Sequence, residues 1–443
     1  MIRYIRLTGA ISAAGLAAAT FLIPAQALAN PATTVTYGVS ASTSRFSGAA
    51  FDIGAAPPLA TMQAWTASPY RVIGIYIGGV TRTFKQPNLT AAWISATSQL
   101  GWRFLPIYKG LQPACGHTPV AADKQISLNL TTARSQGTAA ANDADTQRAA
   151  LGLSKGSAIY NDIEAYATTN IACRNSVLTF LSAWTTRLHQ LGNVSGVYAN
   201  LNNGARDLSA AYSSAAYARP DALWIARYDG STSLTGWAGI PDQQWATHQR
   251  AKQYLSNQKQ TYGGVTLTID PDQLNAPIAT VKHPYSVTSA TGVNARSGPA
   301  TSYPVVKSYP ARAQVSVVCQ TPGSKVGTTS VWDKLPDGSY VTDYYISTPS
   351  STTYSGLSGR CMYAYQVTPA AGANVRTGPG ASYPLAGHLA SGALAWVTCQ
   401  RAGSTVGGTK VWDRLLDYGN GYVSDAYVAT AGTTGYTSPI PRC

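Results

Sequence analysis

The sequence predicts an α/β protein in which a (β/α)8 TIM barrel is followed by two small all-β barrels. Three observations lead to this fold class. Apolar strands alternate with helical patterns over residues 30–280, and residues 281–443 contain two copies of one pattern of short strands and turns. In addition, 45% of the residues are hydrophobic and only 11% are charged, which is typical of a chain with extensive apolar cores and not of a disordered one.

Residues 1–29 have the features of a secretory signal peptide. Arg3 and Arg6 form a basic start, a mostly apolar stretch follows, and Ala27-Leu28-Ala29 fits a cleavage signal. The two arginines are not adjacent, so a twin-arginine export route is not indicated. We therefore expect a cleaved signal, a secreted protein that is extracellular or associated with the cell wall, and no membrane span elsewhere.

Residues 30–280 are predicted to form the TIM barrel. Continuous apolar strands that alternate with helices form a parallel sheet covered on its faces, and eight such strands fit a closed barrel. An open doubly wound sheet is the alternative, but no glycine-rich phosphate loop opens the first unit. The predicted strands are 51–53, 72–77, 103–108, 158–164, 194–200, 222–229, 252–256 and 265–270, and the predicted helices are 57–67, 89–100, 127–151, 174–191, 203–217 and 243–251.

The single glutamate of the chain, Glu164, is the first candidate for catalysis. It stands two residues after Asp162 at the end of a predicted strand, so both side chains point to the same side. Glycosidases use such a pair, one carboxyl to protonate the leaving oxygen and one to assist attack. We expect Glu164 to be the general acid, with a pKa raised by burial and by the charge of an ionised Asp162. Alternatively, both carboxylates pair with Arg227 or Arg206 and only hold the barrel mouth.

Further candidates follow from the rule that active-site groups lie at the C-terminal ends of barrel strands. Asp52 ends the first predicted strand and Asp270 the last, so both are candidates for catalysis, with a role as rim anchors as the alternative. Polar and aromatic side chains near the same rim are candidates for sugar binding. These are Tyr76, Tyr108, Tyr198, Asn200, Tyr228 and Asp229.

The C-terminal part of the chain is a duplication. Segments 293–299, 302–304 and 331–333 recur as 373–379, 382–384 and 411–413, each at an offset of 80 residues. We place the two copies at 281–362 and 363–443. Short alternating strands broken by Gly and Pro turns fit a small β-barrel in each copy.

Six cysteines in a secreted chain indicate disulfides. The duplication favours one disulfide in each copy, Cys319–Cys361 and Cys399–Cys443, which leaves Cys115–Cys173 for the barrel. The sequence has no C-x-x-C motif, and its five histidines lack the spacing of a zinc site. We therefore predict neither a metal nor a cofactor.

The two copies resemble bacterial SH3 domains. The resemblance rests on the N-x-R-x-G-P turn, the following S-Y-P, and the later W-D-(K/R)-L. It implies modules that bind cell-wall peptide or glycan, with Tyr303 and Tyr383 as candidates for ligand contact. Trp332 and Trp412 are expected in the cores of the copies.

The barrel segment resembles the glycoside hydrolase-like domain of secreted bacterial proteins, a distant relative of the family 25 muramidases. The motifs that carry the resemblance are 51–52, 62–65, 74–79, 86–90, 159–166, 196–198, 223–227 and 269–270. The resemblance implies that the D-x-E of strand four, Asp162 and Glu164, holds the acid. It also matches Asp52 and Asp270 to the aspartates of the first and last strands, although the D-V-S run of the muramidases is missing.

The net charge of +14 favours partners that are polyanions, with a role in solubility alone as the alternative. The charges are scattered and no recognition helix is visible, so nucleic acid is not predicted. We predict a monomeric, cell-wall-directed glycoside hydrolase that cleaves a peptidoglycan-type glycan and is held on the wall by SH3-like modules. The alternatives are a non-catalytic glycan-binding protein on the same fold and a purely structural envelope protein.

Overall fold

The computed structural model describes residues 41–350, 352–430 and 435–443, so the predicted signal peptide lies outside the described residues. Its α-helices are α1 (Leu59–Ala64), α2 (Ala91–Gln99), α3 (Leu130–Ala150), α4 (Ile171–Gln190) and α5 (Arg206–Ala210). The strands up to residue 278 are β1 (Ser44–Asp52), β2 (Val72–Gly78), β3 (Arg103–Tyr108), β4 (Gln112–Pro113), β5 (Gln125–Ile126), β6 (Ala158–Ile163), β7 (Val194–Asn200), β8 (Ala222–Ala226), β9 (Arg250–Gln253), β10 (Gln258–Tyr262) and β11 (Val265–Ile278).

Eight of these strands close into a barrel in the order β1-β2-β3-β6-β7-β8-β9-β11, and β11 pairs with β1 to complete the ring. The pairs from β1 to β9 are parallel, whereas β11 is antiparallel to both of its neighbours. The prediction of eight parallel strands is thus wrong for the last one. The reason is a β10–β11 hairpin whose two turn residues, Gly263 and Gly264, both have positive φ. This Gly-Gly turn is a sequence signal for a hairpin.

The helical layer is also less complete than predicted. Helices α2, α3 and α4 are preceded by the N-cap residues Thr90, Asn129 and Asn170, whose side chains accept hydrogen bonds from the first turn. No helix forms between β8 and β9, where one was expected over 243–251. Trp245 and His248 adopt positive φ in that segment, and a left-handed residue ends any right-handed helix.

The barrel has two apolar layers that follow from strand alternation. One lies inside the ring and includes Leu105, Ile107, Tyr160 and Trp224. The other lies between the ring and the helices and includes Phe104 and Trp184. Residues of opposite parity on one strand therefore face different layers, which decides which side chains reach the barrel mouth.

The C-terminal copies form similar sheets. Their strands are β12 (His283–Ser286), β13 (Val293–Arg296), β14 (Val305–Tyr309), β15 (Gln314–Val317), β16 (Cys319–Val326), β17 (Thr329–Lys334), β18 (Tyr340–Thr342), β19 (Tyr363–Gln366), β20 (Ala373–Arg376), β21 (Leu385–Leu389), β22 (Leu394–Val406), β23 (Thr409–Leu415) and β24 (Tyr422–Ser424). In the first copy β12 pairs with β15, and the order of the other sheet is β14-β13-β18-β17-β16. In the second copy one sheet has the order β19-β22-β23-β24-β20-β21. Thus β22 corresponds to β15 and β16 together.

The three disulfides join the predicted cysteine pairs, Cys115–Cys173, Cys319–Cys361 and Cys399–Cys443. Trp332 and Trp412 are 1% and 2% exposed, so both lie in the cores of the copies as expected. Within the described ranges, none of the helices combines the length and apolar character needed to cross a bilayer.

The second copy packs against the barrel end opposite the C-terminal ends of the parallel strands. Both terminal nitrogens of the Arg45 guanidinium, at the start of β1, donate to Asp417, at 2.9 and 2.6 Å. His248 Nε2 lies 3.3 Å from the same carboxylate, and the Arg45 guanidinium lies 4.9 Å from the Trp396 ring centre. The mouth at the other end of the barrel stays clear of this interface.

Candidate active site

The end of β6 carries two carboxylates bound to one ammonium. Lys109 Nζ lies 2.8 Å from Asp162 Oδ2 and also contacts Glu164 Oε1. The Asp162 side chain is 2% exposed, whereas the Glu164 side chain is 47% exposed. One residue of the pair is thus buried in the barrel and the other faces solvent at its mouth.

The observed burial of the two carboxylates is the reverse of the predicted burial. Glu164 was expected to be buried and Asp162 to be a simple ionised neighbour. Asp162 lies within the ring at β6, while Glu164 follows the last strand residue and leaves the barrel wall. Burial raises the pKa of Asp162 to about 6; the Lys109 charge opposes this shift, and the Glu164 charge adds to it.

Lys109 and Gln112 fix the geometry of this corner. Leu105 and Ile107 point into the barrel, and Lys109 is the next alternate residue along the chain. Its side chain therefore also points inward, at the mouth. The Gln112 side chain donates to Asp162 O at 2.8 Å and accepts from Glu164 N at 3.0 Å. Gly79, with φ of 104°, allows the neighbouring loop to approach, because a Cβ there would lie 2.1 Å from Lys109 O.

Asp52 lies across the mouth in a hydrogen-bonded network. Gln253 Nε2 donates to Asp52 Oδ2 at 2.6 Å. The Tyr198 and Tyr228 hydroxyls donate to Gln253 Oε1 at 2.7 and 2.9 Å, which fixes the amide with its donor toward the carboxylate. Asp52 is 1% exposed, and its neighbour in register on β2 is Gly74.

Asp270 and Asp272 reach the same rim from β11. Asp270 pairs in register with Asp52, and its Oδ1 accepts from Asn257 N at 2.5 Å. Asp272 is fully buried and accepts from Trp224 Nε1 at 3.1 Å. Because β11 is antiparallel, these residues enter the barrel at the mouth and do not end a parallel strand there.

The carboxyl groups across the mouth bind protons more strongly than usual. Burial and then the Asp270 charge raise the pKa of Asp52 well above its ordinary range. Burial and then the charges of Asp52 and Asp270 do the same for the pKa of Asp272, and burial raises the pKa of Asp270. These carboxyl groups therefore retain a proton at a higher pH than isolated ones.

Tyr76 lies among the carboxylates. Burial raises the pKa of its hydroxyl, and the charges of Asp52, Asp162, Asp270 and Glu164 act in the same direction. The hydroxyl therefore stays protonated and available as a donor. Its ring lies 6.0 Å from that of Phe84, an exposed aromatic residue. The mouth thus combines acidic groups with an apolar edge, a combination suited to sugar binding.

Three predicted rim residues lie apart from this cluster. Tyr108 has the opposite parity to Ile107, so it points to the helices, where its hydroxyl donates to Asp143 at 2.8 Å. Asn200 accepts from Asn202 N at 2.9 Å and caps the turn after β7. Asp229 forms ion pairs with Arg227 and Lys252, each at 2.6 Å. Their side chains thus serve structural contacts.

The predicted contacts of the C-terminal copies are solvent-facing. Tyr303 and Tyr383 are 37% and 46% exposed, and each lies against the glycine of its G-P turn, Gly298 or Gly378. Nothing in the barrel mouth involves them. The alternative pairing of the D-x-E residues with Arg227 or Arg206 does not occur either, since Arg227 binds Asp229 and Arg206 donates to Ala238 O.

The sequence interpretation missed four residues of the site. Lys109, Gln112 and Gln253 were not proposed, and Asp272 was not among the catalytic candidates. The sequence does contain a signal for Lys109, because it is the next alternate residue after Leu105 and Ile107, which point into the barrel.

Of the residues described, no three His, Cys, Asp or Glu side chains form a group that could hold a metal.

Comparison with known proteins finds similarities over the barrel segment. Residues 63–274 match the family model described as Rv2525c-like, glycoside hydrolase-like domain. The barrel segment is therefore similar to a glycoside hydrolase-like domain. A stretch of 77 residues is 35% identical to the uncharacterized protein YraJ of Bacillus subtilis; it covers 15% of this chain and 65% of that relative's length.

Several solved structures are similar to about half of this chain. The Tat-secreted protein Rv2525c of Mycobacterium tuberculosis, in complex with HEPES, is 16% identical, with a TM-score of 0.36 over 51% of this chain and 95% of its own. A muramidase from Acremonium alcalophilum is 16% identical, with a TM-score of 0.31 over 52% and 93%. The spore cortex lytic enzyme SleM of Clostridium perfringens is 14% identical, with a TM-score of 0.35 over 56% and 73%.

Proposed function

We propose that the chain is a secreted, cell-wall-directed glycoside hydrolase that cleaves a peptidoglycan-type glycan with Glu164 as general acid. The observation that carries this proposal is the pair of carboxylates at the end of β6, one buried and one exposed, facing further carboxyl groups across the barrel mouth. The match of residues 63–274 to a glycoside hydrolase-like domain supports it. Three disulfides fit the oxidising environment that export implies.

Accessibility selects Glu164 over Asp162 as the acid. A general acid must touch the leaving oxygen, and Asp162, at 2% exposure, lies below the surface that a sugar can reach. Glu164 would donate its proton as the bond between C1 and the glycosidic oxygen breaks. Water would attack C1, with the partly exposed Asp270 as the candidate for accepting its proton, since Asp52, at 1% exposure, lies too deep by the same criterion. The products are a new reducing end and a new free hydroxyl end.

Lys109 must act within this mechanism. Its ammonium contacts both carboxylates of the D-x-E pair. In the proposed complex the substrate covers Glu164 and leaves Lys109 with Asp162 alone. In this proposal Lys109 keeps Asp162 ionised beneath the sugar, where its charge stabilises the oxocarbenium-like transition state.

We further propose that the chain divides into 30–280, 281–362 and 363–443, and that the last two segments are SH3-like modules that hold the barrel on the wall. Tyr303 and Tyr383 are the candidate contacts, since both are exposed. Holding a catalytic barrel on an insoluble substrate raises its local concentration.

The same contacts of Lys109 favour a second candidate function, a glycan-binding barrel without turnover. Defined muropeptide and chitin-type fragments distinguish the two. Binding is followed by equilibrium dialysis and product formation by chromatography of the same samples. The hydrolase predicts binding and shorter products, the binding protein predicts binding of intact fragments, and absence of both contradicts a glycan site in the mouth.

A further inference from the structure

Two arginines of the C-terminal copies lack an acidic partner. Arg360 precedes the last cysteine of the first copy, and Arg414 lies on β23 of the second. The Nε–H group of each is buried and has no hydrogen-bond partner within the described part of the chain. None of the ion pairs found there involves either residue. A buried donor without an acceptor is unfavourable, so both guanidinium groups retain capacity for an anion.

Tyr354 connects the two arginines. The Arg360 guanidinium carbon lies 5.3 Å from the centre of the Tyr354 ring. Burial raises the pKa of the Tyr354 hydroxyl, while the charges of Arg360 and Arg414 both act to lower it. Arg360 therefore stacks on Tyr354, and both positive charges act on the same hydroxyl.

The segment that carries Tyr354 and Arg360 is held in place. Ser355 N donates to Gln320 Oε1 at 2.5 Å, and Cys361 N donates to Gln320 O at 2.7 Å. From the barrel, Arg103 donates to Gly356 O at 3.1 Å. The Cys319–Cys361 disulfide closes the same segment. A group held in advance loses little freedom when a ligand binds.

The acids of the two copies are engaged elsewhere. Residues 281–443 contain twelve Lys and Arg but only six Asp. Gln320 donates to both Asp333 and Asp343, and Gln400 donates to both Asp413 and Asp425. Asp337 binds its own turn at Ser339, and Asp417 binds Arg45. Arg360 and Arg414 are therefore left for a ligand from outside.

We propose that Arg360, Arg414 and Tyr354 form a binding site for a phosphate group, in particular the phosphodiester of an anionic polymer. Two guanidinium forks present more donors and charge than one carboxylate can pair with, whereas phosphate oxygens serve both forks and the tyrosine hydroxyl. The site is independent of the barrel mouth and of catalysis there. It gives the cationic C-terminal copies a ligand of defined chemistry.

The chain provides an internal control for this site. Arg442 stacks on Tyr436 at 4.2 Å with the same sequence spacing as Arg360 and Tyr354. Arg442, however, is exposed, and its Nε–H is not buried without a partner. Arg442→Gln therefore removes an equal charge and an equal stack without touching the proposed site.

Equilibrium dialysis of the full chain with radiolabelled inorganic phosphate, at fixed ionic strength, tests the proposal. We expect one saturable site, and weakening by about tenfold or more in Arg360→Gln and in Arg414→Gln, because each removes a charge-assisted pair. Arg442→Gln should bind within about twofold of the wild type. Arg360→Lys, which keeps the charge but loses the fork, should also bind weakly.

Competition identifies the source of the phosphate. Displacement by dimethyl phosphate indicates a diester, whereas displacement by phosphate alone indicates a monoester or the free ion; either supports the site. Equal competition by acetate would contradict a phosphate site. So would the absence of saturable binding, or an equal loss in Arg442→Gln. Thermal unfolding of each variant verifies that it is folded.

Discussion

Lys109 Nζ lies 2.8 Å from the buried carboxylate of Asp162 and also contacts Glu164, so one cation binds both carboxylates of the D-x-E pair. This contact joins the ends of β3 and β6. It makes Lys109 the counterion of the buried Asp162 carboxylate. The behaviour of the mouth should therefore depend on Lys109 as strongly as on the acids.

Lys109→Met should destabilise the barrel by about 3 kcal/mol at pH 8, because it leaves a buried carboxylate without its partner. The loss should be smaller at pH 5, where Asp162, with a pKa of about 6, takes up a proton. Urea unfolding at the two pH values measures both. Lys85→Met, at an exposed lysine, should have little effect at either pH. An equal loss at pH 5 and pH 8 would contradict the pairing.

Gly74→Ala should displace Asp52. The two residues are neighbours in register, and a Cβ at position 74 would lie 2.4 Å from the Asp52 Cβ. Overpacking of this kind costs about 1–3 kcal/mol. We expect this loss in chemical denaturation, together with weaker glycan binding. Gly356→Ala, where an added Cβ meets nothing within 4 Å, serves as the control. Unchanged stability and binding in Gly74→Ala would show that β1 does not need this close approach.

Arg45 and Asp417 should be coupled across the interface between the barrel and the second copy. The bidentate contact is partly buried, so a double-mutant cycle of Arg45→Ala and Asp417→Ala should give about 1–3 kcal/mol. The Arg45 contact, with a smaller effect of His248, lowers the pKa of Asp417 despite its burial. The coupling should therefore be complete above the ordinary pKa of an aspartate and decrease as the pH falls below it.

The duplication supplies a matched control for this cycle. Asp337 is the counterpart of Asp417 in the first copy, but its carboxylate accepts from Ser339 in its own turn. Arg45→Ala combined with Asp337→Ala should therefore be additive. Coupling of equal size in both cycles would mean that the measured energy does not come from the interface.

The buried carboxyl pair Asp413–Asp425 should make the second copy more stable in mild acid. Burial raises the pKa of Asp425 to about 6, and burial with the Asp425 charge raises that of Asp413. A folded-state pKa above the unfolded one gives stability that is complete below the unfolded pKa, near 4, and lost as the pH rises through about 6.

Asp425→Asn removes one of these protons. The dependence of unfolding free energy on pH between 4 and 6 should become shallower by up to about 1.4 kcal/mol per pH unit, the effect of one proton. Asp337→Asn, at an aspartate bound in a surface turn, should leave the slope unchanged. The same slope in the wild type and Asp425→Asn would rule out proton uptake by this pair.

The sequence predicted the features that depend on alternation and repetition. Strand parity brought Asp162 and Glu164 to one side, and the duplication predicted the disulfide pairs. Alternation along β3 directs Tyr108 to the helices and Lys109 to the mouth. Asp270 lies at the expected rim, but on an antiparallel strand. The Gly-Gly turn between β10 and β11 reverses the direction of the chain there.

The burial of the two carboxylates could not be predicted from the sequence, for a different reason. Asp162 is covered by Lys109 and Gln112, which lie some fifty residues earlier in the chain. Their positions depend on how the loop after β3 packs against β6. Local spacing gives the direction of a side chain, whereas exposure depends on segments that only the folded barrel brings together.

The most direct test of the central claim is the release of new reducing ends from purified peptidoglycan. The wild type, Glu164→Gln and Asp337→Asn are assayed together, the last at an exposed aspartate in a turn of the first C-terminal copy. We expect release by the wild type and by Asp337→Asn, and a fall of about a hundredfold or more in Glu164→Gln, as for loss of a general acid. Equal release by Glu164→Gln, or no release by any of the three while all sediment with the wall, would contradict catalysis by Glu164.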